Sequence, residues 1–271
     1  MTKPSKTQGK NKLTKELNTI FTVMTREIII FFKSPSTAII SLVMPIVMMG
    51  MIGGNMMQNM MGDFGFDLGE FMLVGMLVNM LFLITSMGMT SLVEDAGDFN
   101  QEMLVAPVSR YSLILGKILG SSFSATVSMF GTLIVGFFMG ITLPINKLLL
   151  LLLLSPLISM SGGALAMMVL GLIKNKRTAS LVVSYIVMPQ MFLSGAIIPI
   201  NNSSGILFIL SRLMPMTYSL DLARAAVYAG TAEYHSAVMF NPIINFISIS
   251  ILTIVFLVVG TLFFTYTEKN K

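Results

Sequence analysis

The sequence contains no cysteine and one histidine among its 271 residues. Without cysteine the chain can form neither a disulfide nor a thiolate metal site. A single histidine also excludes a multi-histidine metal centre within this chain. We therefore predict no metal-binding residues.

Charged residues are scarce: they make up 11% of the chain, whereas hydrophobic residues make up 55%. An ordinary soluble domain has about 25% charged residues. This composition is typical of a protein whose solvent is lipid.

Six intervals without charge are each longer than the ~20 residues that span a bilayer. Their apolar runs are continuous and lack strand-period alternation, which favours helices over a barrel. We predict an all-α membrane protein, one domain over 35–271 with six transmembrane helices. The predicted spans are 36–56, 71–93, 112–140, 148–172, 178–198 and 243–266.

The distribution of Lys and Arg predicts the orientation, because short loops rich in these residues stay in the cytoplasm. Fourteen of the 17 fall before the first span, in the second and fourth connections, or in the C-terminal tail. We therefore place both termini in the cytoplasm of a bacterium, with the multi-pass chain in its plasma membrane. The net charge of +5 is attributed to attraction by anionic lipid headgroups rather than to nucleic-acid binding.

The N-terminal region is polar and lacks the apolar segment of a cleavable signal peptide. Residues 1–12 are predicted to be a disordered cytoplasmic tail. Over 13–34 apolar residues recur at steps of three and four, which predicts an amphipathic helix lying along the membrane and ending at Pro35. The alternative is a long cytoplasmic lead-in.

The second connection carries acidic residues where a lipid-facing loop usually carries basic ones. Glu94, Asp98 and Glu102 would share one face of a helix, and they predict a surface that meets a partner. The alternative is a solvated loop. The candidate residues are Glu94, Asp95, Asp98, Glu102, Pro107 and Arg110.

The fifth connection contains two apolar pieces, 205–210 and 217–230, each too short to cross the membrane. We predict two short re-entrant helices before the last span, since irregular backbone is tolerated where protein covers it. Asp221 and Arg224 are three residues apart and able to pair. An ordinary extracellular loop is the alternative.

An energy source is missing from the sequence. The span cores are predicted to hold no ionisable residue, which argues against a proton- or sodium-coupled carrier. No phosphate-binding loop occurs, and the lone His235 belongs to no catalytic motif. Energy is therefore expected from a partner.

Eight methionines between Met44 and Met61 could ligate Cu(I), or they could pack adaptably against apolar substrates or lipid. Two asparagines could line a path or join helices. The candidate substrate-path residues are Met44, Met48, Asn55, Asn79 and Phe192. Gly116 and Gly120 form a G-x-x-x-G pattern that predicts close helix packing.

Three stretches, in this order, resemble the permease subunit of a type-2 ABC exporter of the drug-resistance kind. They are the acidic segment with Leu104–Arg110 and Leu115–Lys117, the stretch Phe192–Gly195 with Ile198 and Pro199, and Leu213–Tyr218 with Pro215, Asp221 and Arg224. The middle of the family's coupling segment commonly contains a Gly-Thr pair. In this sequence Gly97–Phe99 occupies that position instead.

The resemblance implies a membrane subunit that is not itself an enzyme and binds no cofactor. A separate ABC ATPase would bind ATP and Mg²⁺, dock on the acidic connection, and drive rocking of the spans. It also implies a homodimer or a heterodimer with a second permease, and export of an amphipathic drug, antibiotic, peptide or lipid. A secondary carrier, a channel for small solutes and a Met-rich copper exporter are the alternatives.

Overall fold

The computed structural model describes residues 6–35, 66–94, 109–173, 176–197, 199–200 and 205–269, together with positions 39, 43, 46, 47 and 50. Regular secondary structure in these residues is helical throughout and includes no strand. Because a helix satisfies its own backbone hydrogen bonds, long apolar segments take this form in lipid. The predicted all-α class is confirmed.

The helices of the described residues are numbered in chain order. They are α1 (Lys6–Lys33), α2 (Leu68–Glu94), α3 (Arg110–Phe138), α4 (Ile145–Leu172), α5 (Lys176–Leu193), α6 (Gly205–Leu213), α7 (Pro215–Val227), α8 (Tyr234–Ala237) and α9 (Pro242–Lys269).

Among the described residues, four helical segments are long and apolar enough to cross a membrane, and they match the second, third, fourth and sixth predicted spans. They are Leu68–Leu92, Arg110–Phe138, Ile145–Leu172 and Tyr234–Tyr266, the last joining α8 to α9. The bent pair of α6 and α7 adds at most one more. The first predicted span, 36–56, lies largely outside the described residues, and the apolar part of α5, Ser180–Leu193, is short. The count of six stays a prediction.

Helix α2 is the centre of the bundle, in contact with α3, α4, α5 and α7. Every residue from 71 to 82 is buried. A helix that is apolar all round is expected in such a position, because each face must meet another element. Helix α9 packs on α4 and α7 instead.

Glycines set the closest helix contacts of the bundle. A Cβ atom on Gly162 of α4 would lie 2.6 Å from the carbonyl oxygen of Phe82 in α2, and Ser86 Oγ donates to Gly162 O at 2.9 Å. On the other side of α4, a Cβ on Gly171 would lie 2.4 Å from Gly260 O of α9. Because these glycines have no side chain, α4 can pack closely against α2 and α9.

Helix α1 packs along α3. It begins at Lys6, earlier than the boundary at 13, so residues 6–12 of the expected disordered tail are helical. Four of these seven residues are Lys or Gln, which favour helix, whereas Thr7, Gly9 and Asn11 do not. It ends at Lys33, ahead of Pro35, as predicted. Its position at a membrane interface stays a prediction.

The two ends of the bundle are named for later reference. The α1 end is where α2 finishes and α3 begins. The Glu70 end is the opposite one, where Glu70 pairs with Lys147 across α2 and α4 at 3.6 Å.

Candidate functional site

A buried ion pair joins α1 to α3 at the α1 end. Lys117 Nζ donates to Glu27 Oε1 at 3.0 Å, and the two residues are 2% and 9% exposed. Either charge alone would be costly at this depth, whereas the pair satisfies both. The contact fixes α1 against α3.

Gly116 and Gly120 of α3 allow α1 to come this close. A Cβ on Gly116 would lie 2.8 Å from Ile20 O, and one on Gly120 would lie 2.6 Å from Glu27 Cβ. Because these distances are below normal carbon contacts, only glycine fits there. The predicted close packing at this G-x-x-x-G pattern is confirmed, and its partner is α1.

Ser112 and Arg110 extend the contact region towards the start of α3. Ser112 Oγ donates to Glu16 Oε2, so α1 and α3 are joined at two polar points. Arg110 is the first residue of α3, and its Nη1 atom is buried without a hydrogen-bond partner. No described residue supplies an acceptor for this buried donor.

The predicted coupling residues flank this region. Glu94 is the last residue of α2 and Arg110 the first of α3. Asp95, Asp98, Glu102 and Pro107 lie outside the described residues. The acidic docking surface therefore stays a prediction, and the structure supplies the two helices that precede and follow it.

A second polar cluster surrounds Asp221 of α7 near the Glu70 end. Its carboxylate accepts from Met239 N at 2.7 Å, Phe240 N at 2.8 Å and Asn245 Nδ2 at 2.7 Å. Asp221 and Asn245 are both 0% exposed. Three donors compensate the buried charge and tie α7 to the start of α9.

The guanidinium of Arg224 contacts residues other than Asp221. Its Nη2 donates to Gly195 O at 2.7 Å, and its Cζ lies 3.3 Å from the centroid of the Phe71 ring. No ion pair within 4.0 Å joins Arg224 to Asp221 in the described part of the chain. The predicted pairing is therefore wrong. The three donors that surround Asp221 occupy the carboxylate, so Arg224 turns to the segment after α5.

Helices α6 and α7 confirm the two short helices expected before the last span. They meet at Met214 with a bend of 83°, and Pro215 opens α7, where its missing N–H costs nothing. Whether the pair is re-entrant stays a prediction.

The predicted substrate-path residues are only partly described. Asn79 is 8% exposed within α2, and Phe192 is 56% exposed on α5. The structure therefore places one in the interior and the other on the surface of the single chain. Met44, Met48 and Asn55 lie outside the described residues, so their role and the copper hypothesis stay predictions.

Lys117 also corrects the expectation that the span cores hold no ionisable residue. It lies inside α3 and inside the predicted span 112–140. The count of basic residues places it in the connection with Arg110. An isolated cation between Gly116 and Ile118 was the available signal that a buried acid must be near. Its partner Glu27 lies 90 positions away, which no local pattern could indicate.

The sequence is similar to those of known proteins. The family described as ABC-2 type transporter matches residues 18–228. Nodulation protein J of Rhizobium meliloti (strain 1021) is 26% identical over 127 residues, which cover 46% of this chain and 47% of that protein. The putative transport permease ycf38 of Cyanophora paradoxa is 27% identical over 179 residues, which cover 64% of this chain and 61% of that protein. The matched part thus spans about half to three-fifths of these curated relatives.

Proposed function

The chain belongs to the ABC-2 type transporter family, and we propose that it is the membrane subunit of an ATP-driven exporter of an amphipathic compound. ATP and Mg²⁺ bind in a separate ABC ATPase subunit. The cargo is of the drug, antibiotic, peptide or lipid class. The membrane is the bacterial plasma membrane, with both termini in the cytoplasm.

The observation that carries this proposal is the attachment of α1 to α3. The predicted docking connection, Glu94–Tyr111, ends in the first turn of α3, and Glu27 and Lys117 link α3 to α1 across a glycine-lined contact. A push on the connection would therefore move α1 and α3 together. Packed helices with discrete contacts are suited to rigid motions of this kind.

The outward surface of the bundle supports a second subunit and lipid as neighbours. Helix α5 exposes Tyr185 and Phe192 at 75% and 56%, and α9 exposes Ile243 at 68%. Exposed apolar faces of this extent require lipid or protein around them. We propose that a second permease, identical or related, covers part of this surface.

A secondary carrier is less well supported by the described helices. Such carriers relay protons or ions through ionisable groups in the membrane. Lys117 is instead held by a single carboxylate at 3.0 Å beside close-packed glycines, which is a structural arrangement.

The proposal is tested by purifying the tagged chain from its own host and identifying bound proteins by mass spectrometry. We expect an ATPase with a phosphate-binding loop, and ATP-dependent export by the reconstituted complex. Glu102→Lys should lower ATP hydrolysis by the complex while leaving membrane insertion intact. Glu233→Lys, at the Glu70 end, is the matched control. Purification without an ATPase, or equal hydrolysis in both variants, would contradict the proposal.

A further inference from the structure

A polar cavity near the Glu70 end plays no part in the coupling proposed above. Its volume is about 220 Å³, and it is lined by the end of α6, the start of α7, α8, the segment that follows α8, and Ile200. The side chains that matter here are Ser211, Arg212, Thr217 and His235. We refer to it as the Arg212 pocket.

The hydroxyl groups of the Arg212 pocket are already used as donors. Ser211 Oγ donates to Phe208 O at 2.9 Å, and Thr217 Oγ1 donates to Ser211 O at 2.5 Å. These two hydroxyl groups are therefore not available to donate to a ligand in the pocket. The groups left to recognise a ligand are the guanidinium of Arg212 and the imidazole of His235.

Arg212 is held in a fixed orientation. Its Cζ lies 3.5 Å from the centroid of the Phe208 ring and 5.1 Å from that of Phe240. Tyr218 Oη donates to the carbonyl oxygen of Arg212 at 2.8 Å. A guanidinium whose Cζ lies over a ring is attracted to the ring and can still donate through its N–H groups. This geometry suits a bidentate contact with an oxyanion.

The charge of Arg212 is not neutralised by a carboxylate. No acidic oxygen lies within 4.0 Å of it among the residues that the structure describes. The oxygens of Asp221 accept from the amides of Met239 and Phe240, and Asp221 is not among the residues that line the pocket. The pocket therefore presents an unmatched cation to whatever enters it.

Helix α6 supplies an apolar surface next to this cation. Ile206, Ile209 and Leu213 are 75%, 60% and 64% exposed, and Arg212 lies in the last turn of the same helix. Exposed aliphatic residues beside a basic one are typical of a helix at the boundary between acyl chains and headgroups.

We propose that the Arg212 pocket binds a phosphate group through Arg212 and His235. The apolar surface of α6 favours a phosphate carried by a membrane lipid, whose acyl chains lie along that helix, over free inorganic phosphate. Such binding goes beyond transport of the cargo, and it needs no ATPase.

The test uses the full chain, purified in a neutral detergent, and follows its thermal unfolding midpoint. Dihexanoyl phosphatidic acid and inorganic phosphate are titrated separately at constant ionic strength. We expect the lipid to raise the midpoint saturably, because a ligand bound to the native state stabilises it. A response to inorganic phosphate at equal concentration would identify free phosphate as the ligand and would support the pocket's chemistry.

Variants decide whether the pocket is responsible. Arg212→Gln should weaken phosphatidic acid binding at least about tenfold, since a charge-assisted contact is lost. Lys147→Gln removes one positive charge elsewhere at the Glu70 end and should bind like the parent chain. If Arg212→Gln does not fold, His235→Gln, at an exposed position, should still weaken binding severalfold. Undiminished binding by the folded variants, or equal loss in Lys147→Gln, would overturn the proposal.

Discussion

At the scale of single residues, burial gives Lys117 and Glu27 their importance. A charge in an apolar interior is tolerated when an opposite charge and a hydrogen bond accompany it. Both conditions are met at 3.0 Å. The pair stabilises one placement of α1 on α3. We expect substitution of one partner alone to lower the stability of the folded chain.

Lys117→Met is predicted to destabilise the folded chain by about 3–5 kcal/mol, because it leaves the Glu27 carboxylate buried without its partner. Adding Glu27→Gln to this variant should restore much of the loss. Thermal unfolding of the purified chain measures both effects.

Lys33→Met is the control for that prediction, since Lys33 is exposed at the end of α1. It should leave the unfolding midpoint near that of the parent chain. A double variant no more stable than Lys117→Met would argue that the two charges do not depend on each other.

The sequence indicated that Asp221 and Arg224 are polar residues of this region, but the predicted ion pair between them is wrong. Spacing along a helix places two side chains on one face, which made a pair reasonable. The backbone amides of Met239 and Phe240 and the side chain of Asn245 were not visible to that argument. They come from another element, and only the folded chain brings them to Asp221.

At the scale of elements, the distance between charges was a reliable guide to the helices. A charge inside the bilayer is costly, so long intervals without charge mark apolar helices. Helices α2, α4 and α9 each contain such an interval, and α3 does so from Ile118 onwards. The contact of α1 with α3 was not predictable in the same way, because glycine patterns show that a close neighbour exists without saying which helix it is.

The double variant Gly116→Ala and Gly120→Ala is predicted to shift α1 away from α3. Each new methyl group would meet α1 below 3.0 Å, one of them at the Ile20 carbonyl oxygen. Overpacking of this kind costs about 1–3 kcal/mol. We expect a lower unfolding midpoint together with severalfold lower ATP-dependent export by the reconstituted complex.

Gly50→Ala serves as the comparison for the glycine variants, because a Cβ there has no atom of the described residues within 4 Å. Its export should match that of the parent chain. Full export by the double variant would mean that close packing of α1 on α3 is not needed for coupling.

At the scale of the whole molecule, the sequence predicts the direction in which the bundle crosses the membrane. The two ends of the bundle differ in chemistry. The α1 end carries most of the basic residues, whereas Asp67 and Glu70 lie at the opposite end. The positive-inside rule turns this difference into a direction across the membrane.

The absence of native cysteine allows a direct labelling test of that direction. Thr142→Cys, exposed between α3 and α4, and Lys33→Cys, exposed at the end of α1, each introduce one thiol. We expect an impermeant maleimide to label position 142 in intact cells and position 33 only after the cells are permeabilised. The reverse pattern would invert the proposed orientation.

The hydrogen bonds around Asp221 have a consequence for how the sequence can change over generations. Asn245 donates to the carboxylate across 24 positions, and replacing Asp221 alone would leave Asn245 Nδ2 and the amides of Met239 and Phe240 buried without this acceptor. Loss of Asn245 alone leaves the carboxylate its two amide donors, so substitutions at position 221 should be rarer in descendants of this gene than substitutions at position 245. The junction of α7 and α9 should drift more slowly than the lipid-facing sides of the same helices.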